Sequence, residues 1–226
     1  MTKGRTKKEA IRAEYKKLML QAAERVIIRR GFRSATMDEI AREANFSKAT
    51  LYKCFNNKGQ IILEIILQYI DEIKERLRQI QQSDLTAEEK LKQMILSILD
   101  IQTRKENIAR VFVQDKSLRD FAHRIFAAAR KEDNREFQQA LKIFKSKREE
   151  IIQSGHQVIT EGIEQGKFVP AEPEKLLRYV WALIEGLIHT RYWQEKRISP
   201  RDETEQIFGF LMTGIAGKSF RKGATE

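Results

Sequence analysis

The chain has 226 residues, a formal net charge of +11 and one cysteine, Cys54. A single cysteine excludes an intramolecular disulfide framework and is typical of proteins in a reducing compartment. The basic start lacks an apolar signal core, and no apolar run approaches the length of a transmembrane helix. We therefore expect a cytoplasmic protein with no membrane partner.

The positive charge is concentrated in the first quarter of the chain. Residues 1–60 contain 15 Lys and Arg against 6 Asp and Glu, a net charge of +9, whereas the rest of the chain has a net charge of +2. A concentrated basic region attracts a polyanion, because binding releases counterions. Double-stranded DNA and an anionic membrane both fit this charge, so motifs must decide between them.

The first predicted helix covers about residues 9–30 and ends at Gly31, which is suited to a helix C-cap. Apolar residues recur at helical spacing here and along almost the whole chain, which predicts an all-α fold. The residues predicted to face inward on this helix are Leu18, Ala22, Val26 and Ile27.

A helix-turn-helix is predicted at about residues 36–55. Thr36 is a good N-cap, and Glu39 three residues later completes a capping box for a short helix over residues 37–44. Asn45 tolerates the left-handed backbone of a tight turn. Ser47 then caps a second short helix, which is predicted to reach residue 55.

Longer helical segments follow this motif. A capping box recurs at Thr86 and Glu89, and Gly166 and Pro200 mark a helix end and a helix start. The predicted segments are residues 60–82, 86 onward, 108–113, 118–129, 134–165, 174–194 and 199 onward.

One set of residues keeps a family spacing without a gap: Gly31, Phe32, Thr36, Ile40, Ala41, Ala44, Ser47, Thr50, Leu51, Tyr52, Phe55, Lys58 and Leu63. In this pattern the chain resembles the TetR family of bacterial helix-turn-helix regulators, in detail over about residues 12–72. Three positions depart from the family pattern. Asn45 replaces the usual turn glycine, Cys54 a frequent histidine or tyrosine, and Gly59 a common acidic residue.

The resemblance implies an all-α protein with an N-terminal three-helix DNA-binding domain and a C-terminal helical domain for ligand binding and dimerisation. The expected boundaries are a basic N-terminal arm at 1–11, the DNA-binding domain at 12–72, the sensing and dimerisation domain at 73–216 and a flexible tail at 217–226. The arm can lie along phosphates, enter a minor groove or simply remain solvated.

The first turn of the second helix in such a motif faces base edges in the major groove. Lys48 can donate to guanine, while Ala49 and Thr50 can contact a thymine methyl group. Thr36 and Ser47 can bind phosphate at helix N-termini, or can serve as N-caps alone.

The resemblance adds three further DNA contacts. It implies that Tyr52 donates to a phosphate, that Lys53 touches a phosphate or a base, and that Lys58 binds a phosphate. A buried aromatic role for Tyr52 and plain surface charge for the lysines are the alternatives. Cys54 raises a thiol-sensing hypothesis, with a small half-buried helix residue as the alternative.

The ligand cavity is implied by the resemblance alone. The candidates are aromatic or polar residues on otherwise apolar helices, and ordinary core packing is the alternative for each of them. They are Tyr69, Gln102, Phe112, His123, Phe126, Trp181, Glu185 and His189. The helices from 174 and 199 are implied to form a homodimer interface, with an intramolecular core as the alternative.

We therefore expect a sequence-specific transcriptional regulator, a ligand-responsive repressor that acts as a homodimer on a near-palindromic operator and answers to an unidentified small molecule. The alternative from another class is a sequence-indifferent architectural DNA-binding protein, which would need no reading turn and no large apolar second domain. The sequence has no catalytic constellation, glycine-rich phosphate loop or metal-ligand spacing. We expect no enzyme activity, no cofactor and no metal.

Overall fold

A computed structural model describes residues 7–106, 135–191 and 198–213. Every regular element within these ranges is an α-helix, which confirms the all-α prediction. Numbered in order among the described residues, the helices are α1 (Lys7–Ser34), α2 (Met37–Glu43), α3 (Lys48–Tyr52), α4 (Lys58–Gln81), α5 (Ala87–Arg104), α6 (Arg135–Glu164), α7 (Pro173–Arg191) and α8 (Pro200–Thr213).

The described residues form two compact units. The first contains the residues up to Asp71 with the described part of Lys105–Ser146, and the second contains Glu72–Arg104 with the described residues from Lys147 onward. Both α4 and α6 contribute residues to each unit. None of the described helices combines the length and the apolar character that a bilayer crossing requires.

The local signals of the first unit form as predicted. The helical backbone of α1 is broken at Gly31, where φ is 76°, and Asn45 has the left-handed φ of 58°. At the start of α2 the Glu39 amide donates to Thr36 Oγ1 (3.2 Å), while the Thr36 amide donates to the Glu39 carboxylate (3.1 Å). At the start of α3 the Thr50 amide donates to Ser47 Oγ (3.1 Å).

The core of the first unit is filled by α1, α2, α3 and the start of α4. Ala22, Val26 and Ile27 face inward as predicted, but the prediction for Leu18 is wrong, because 41% of its surface is exposed. The buried stripe of α1 is centred on Met19 and its neighbours three or four residues along, and Leu18 lies at the edge of that stripe. Other core members are Leu20, Ala23, Ile40, Ala41, Leu51, Phe55, Ile61, Ile62 and Ile65.

The second motif helix is shorter than predicted. It ends at Tyr52 instead of residue 55, although the amide of Phe55 still donates to the Leu51 carbonyl (2.9 Å) and the Phe55 side chain is fully buried. The predicted segments at 108–113 and 118–129, the arm up to residue 6 and the tail lie outside the described residues.

Ion pairs join α5 to other helices of the second unit. Lys90 of α5 is buried, and its ammonium lies 2.9 Å from a carboxylate oxygen of Glu161 on α6. Lys92, two residues further along α5, lies 2.6 Å from the Glu205 carboxylate of α8. Because a buried ammonium is costly without a partner, the Lys90–Glu161 pair fixes α5 on α6.

Glycines allow close packing at the end of α6. A Cβ atom at Gly162 would clash with the ring of Phe168, and one at Gly155 would lie 2.8 Å from Leu177 of α7. The chain reverses at Gly166, where φ is 67°, so that Phe168 returns onto α6. A larger side chain at Gly162 would displace the Phe168 ring.

Candidate nucleic-acid interface and effector cavity

The short helix α3 has one buried and one exposed face. Leu51 has no exposed surface, whereas Tyr52 is 43% exposed and Lys48, Ala49 and Lys53 are all exposed. The exposed side chains lie on the first turn and the outer side of the second helix of the motif. This is the arrangement in which a recognition helix presents side chains to the major groove.

Lys48 is engaged within the protein. Its ammonium lies 2.8 Å from Oδ1 and 3.0 Å from Oδ2 of Asp38 on α2, and the hydrogen bond to Asp38 raises the pKa of Lys48. Both side chains are more than half exposed. Because exposed ion pairs contribute little free energy, the ammonium can leave Asp38 for a DNA atom at small cost.

The hydroxyl groups at the helix starts all have partners in the protein. Thr36 Oγ1 accepts from the Glu39 amide and donates to the Glu39 carboxylate (3.1 Å). The hydrogen bond from the Thr36 main-chain amide, and after it the one from the Thr36 hydroxyl, lower the pKa of Glu39. Ser47 Oγ lies 2.7 Å from Thr50 Oγ1. These hydroxyls therefore act as caps in the DNA-free structure.

Contacts from α1 fix the position of α3 and its following turn. Arg12 Nη2 donates to the main-chain carbonyl of Lys53 (3.2 Å), and the Lys16 ammonium lies 5.3 Å from the centroid of the Phe55 ring. The rings of Tyr15 and Phe46 have their centroids 4.9 Å apart. These contacts therefore hold the C-terminal end of the recognition helix α3 against α1.

The helix α2 is also tied to α1. The carboxylate of Glu43 accepts hydrogen bonds from Arg25 Nε (2.8 Å) and Arg29 Nη2 (3.1 Å), and these lower the pKa of Glu43. Arg30 lies 3.3 Å from Glu39 at the other end of α2. The two acidic residues therefore anchor both ends of α2.

The ammonium of Lys58, at the start of α4, points into the domain. It donates to the main-chain carbonyls of Phe32, Arg33 (3.1 Å) and Ala35 (2.7 Å). It also lies 4.6 Å from the centroid of the Phe32 ring. The side chain predicted to hold a phosphate is therefore bound to backbone at the end of α1.

The second unit contains a cavity of about 400 Å³. Its volume is within the range of small-molecule sites. Apolar side chains from α4, α5, α6 and α7 form most of its wall: Leu77, Leu91, Met94, Ile95, Ile98, Ile151, Ile152, Leu177, Val180 and Ile184.

Five charged or titratable residues also line this cavity. His156 Nε2 lies 3.1 Å from the Glu174 carboxylate, whose pKa is lowered by its own backbone amide and then by His156. The Glu185 carboxylate accepts a hydrogen bond from the Trp181 indole (2.6 Å). The other two are Arg148 and Arg178, neither of which forms an ion pair with another residue in the described parts of the chain.

The described residues include no group of three or more His, Cys, Asp or Glu side chains that could hold a metal ion.

Comparison with known proteins places the helix-turn-helix in a family. Residues 19–65 match the family described as bacterial regulatory proteins, tetR family. A curated relative, the uncharacterized HTH-type transcriptional regulator YhgD of Bacillus subtilis (strain 168), is 26% identical over 87% of this chain and 92% of its own length. The helix-turn-helix of this chain is a TetR-family DNA-binding domain.

Two solved structures have the same fold as this chain. The fatty acid degradation regulator FadR from Bacillus halodurans superposes with a TM-score of 0.69 at 16% identity, covering 96% of this chain and 100% of that one. The transcriptional regulator FadR from Bacillus subtilis in complex with stearoyl-CoA has a TM-score of 0.67 at 20% identity, covering 88% of this chain and 99% of that one. These two structures show the fold, whereas the family match and the curated relative show the role: the protein is a DNA-binding transcriptional regulator of the helix-turn-helix type.

The predicted DNA-binding residues fall into three groups in this TetR-type domain. The exposed residues of the recognition helix and its end lie together: Lys48, Ala49, Tyr52 and Lys53. Thr36, Ser47 and the half-buried Thr50 lie at the helix starts as capping groups. Lys58 stands apart, because its ammonium is bound to main-chain carbonyls.

Of the five predicted ligand contacts that the structure describes, two line the cavity, Trp181 and Glu185. Tyr69 and His189 do not line it, and neither does Gln102, which is buried on α5. Phe112, His123 and Phe126 lie outside the described residues.

Sequence reasoning missed three basic residues of the cavity wall. Arg148 and His156 are eight positions apart on α6, on the same stripe as Ile151, Ile152 and Gly155. Because residues at that spacing lie on one helix face, the sequence pattern could have indicated that they line the same cavity. Arg178 of α7 carried the same signal, because it lies three residues before Trp181 and seven before Glu185 on one helix face.

Proposed function

We propose that this TetR-family regulator is a ligand-responsive repressor that binds a near-palindromic operator as a homodimer. The observation that supports this proposal is the exposed face of α3. The residues on that face are polar or small, while Leu51 on the opposite face anchors the helix in a filled core. A sequence-indifferent binder needs only positive charge, without an ordered reading turn.

Each residue of that face has a chemical role in the proposed complex. Ala49 and Thr50 contact base edges, with their methyl groups suited to thymine. Tyr52 and Lys53 hold the phosphate backbone, and Lys48 exchanges Asp38 for a phosphate or a guanine. The bond from Arg12 to the Lys53 carbonyl keeps this end of the reading helix in place.

Two exposed helix stripes support the proposed homodimer. On α7, Tyr179 is 52% exposed and shares a stripe with the exposed Ala182 and Gly186. On α8, Phe210 is 42% exposed beside Gly209. A Cβ atom at either glycine would meet nothing within 4 Å, so another backbone has room to approach. A second copy of the chain would cover these aromatic and small residues.

The proposed effector is an amphiphile with an apolar chain and an anionic end. The cavity wall is mostly aliphatic, which suits a hydrocarbon chain. Arg148 and Arg178 suit an anionic group, because neither is ion-paired among the described residues. The stearoyl-CoA bound to the Bacillus subtilis FadR belongs to this chemical class.

In the proposed mechanism the effector binds one conformation of the dimer more tightly than the other. It therefore shifts the population toward a dimer whose two recognition helices no longer match successive major grooves. Operator affinity falls by the ratio of the effector's affinities for the two conformations.

The test is selection of genomic fragments by the purified protein at near-physiological salt, followed by sequencing. We expect a short inverted repeat for the wild type and a relaxed preference for Thr50→Ala, at a cost of about 1–3 kcal/mol in discrimination. Lys167→Ala, at an exposed lysine of the second unit, is the control and leaves the repeat unchanged. Fragments without a shared motif, bound in proportion to charge alone, would establish the architectural alternative.

A further inference from the structure

Lys58 is the first residue of α4, and its side chain is half-buried. An ammonium group has three N–H donors and no acceptor. The carbonyls of Phe32, Arg33 and Ala35 supply three acceptors, which matches the full donor capacity of Lys58. A phosphate oxygen would have to replace one of these carbonyls.

The local backbone geometry explains why these carbonyls can accept hydrogen bonds from the Lys58 ammonium. Helical bonding in α1 is broken at Gly31, and the single turn that follows ends at Ser34. The last carbonyls of a helix have no partner within the helix and carry a partial negative charge. Lys58 satisfies them and stacks on the Phe32 ring in the same place.

We propose that Lys58 is a positioning residue for the recognition helix and makes no contact with DNA phosphate. Ala35 directly precedes Thr36, the N-cap of α2, so the bond to its carbonyl ties the start of α2 to the start of α4. Without this hydrogen bond, α2 and α3 can tilt on α4. Such a tilt misplaces the side chains that contact base edges, so it weakens specific operator binding more than binding to the phosphate backbone. The inference rests on the proposed reading role of α3.

The first test compares Lys58→Met and Lys58→Arg with Lys53→Met, a matched loss of charge on the exposed face. Affinities for operator and for non-specific duplex are measured over a series of salt concentrations, with thermal unfolding of each variant. For Lys58→Met we expect the operator Kd to rise about tenfold, with the non-specific Kd and the salt slope unchanged. Lys58→Arg restores most of the affinity, because its guanidinium also donates to carbonyls.

Two results would overturn the inference. If Lys58→Met reduces the salt slope by about one and weakens both duplexes, as expected for Lys53→Met, Lys58 is a phosphate contact. If it lowers only the thermal midpoint, while the folded fraction binds operator normally, Lys58 supports the fold alone. A wild type without operator preference would instead refute the proposed function.

The second test uses the wild-type protein and so does not depend on folding of a variant. Reductive methylation of lysines is followed by mass spectrometry with and without duplex DNA. We expect Lys58 to react slowly in both states, whereas Lys53 reacts fast when free and is protected by DNA. A Lys58 that is reactive when free and protected by DNA contradicts the inference.

Discussion

The two units differ in how their interiors are filled. In the first, Met19, Ile27, Leu51 and Phe55 have no exposed surface and pack in one continuous core. In the second, similar aliphatic residues surround a cavity of about 400 Å³. A filled core holds one arrangement of side chains, whereas an open one leaves room for a ligand and for a second conformation. In the function that we propose, the first unit binds DNA and the second binds the effector.

The largest expected effect is on the free energy of unfolding, and it compares a substitution in the interior of each unit. Phe55→Ala should lower the free energy of unfolding by about 3–5 kcal/mol, because the ring is fully buried in a close-packed core. Leu91→Ala should cost about 2 kcal/mol, since Leu91 already borders a void and loses fewer contacts.

Urea unfolding followed by circular dichroism measures both losses. Ile28→Ala, at a residue of α1 that is 40% exposed, serves as the control and should change stability little. Equal losses for Phe55→Ala and Leu91→Ala would show that the second interior is as well packed as the first.

The next effect concerns occupancy of the cavity. An amphiphile such as stearoyl-CoA at a hundred times its Kd should stabilise the protein by about 2.7 kcal/mol. Trp181 lines the cavity, so its fluorescence in a Trp193→Phe variant reports binding.

Ile98→Trp fills the same cavity and is expected to abolish the stabilisation. An unaltered response in this variant would place the amphiphile elsewhere on the protein.

The smallest effect concerns the ion pairs that hold α2 on α1. The hydrogen bonds from Arg25 and Arg29 lower the pKa of Glu43 from 4.5. Their stabilising contribution is present above the unfolded pKa and is lost as the pH falls through the lower folded pKa. Glu43→Gln should therefore flatten the decrease of unfolding free energy on acidification below about pH 4.5.

Urea unfolding at a series of pH values measures this slope. Glu88→Gln in the second unit, at a carboxylate 3.7 Å from Lys167, is the control. A slope for Glu43→Gln equal to that of the wild type would mean that the Arg25 and Arg29 bonds do not persist in solution.

Features encoded by short stretches of sequence were predictable. The Thr36–Glu39 capping box, the left-handed Asn45 and the Ser47 cap each depend on a few adjacent residues, and each forms as expected. Helical periodicity placed most of the α1 core but put Leu18 inside, because a stripe read from sequence has an uncertain edge.

Features that depend on tertiary packing were not predictable. Lys58 turns inward because the break in helical geometry at Gly31 brings main-chain carbonyls to it from more than twenty residues away. The cavity arises where four helices fail to fill the space between them, so Arg148 and His156 gain their place from packing. Family spacing alone implied a different role for Lys58.

The most direct test of the division between reading and sensing is release of operator by effector. Fluorescence anisotropy of a labelled operator bound to the protein is followed during titration with stearoyl-CoA, for the wild type and for Ile98→Trp. We expect the wild type to release the operator and the Ile98→Trp variant to keep it bound. An operator that stays bound to the wild type at saturating stearoyl-CoA, with Trp181 showing the cavity occupied, would contradict the coupling of sensing to reading.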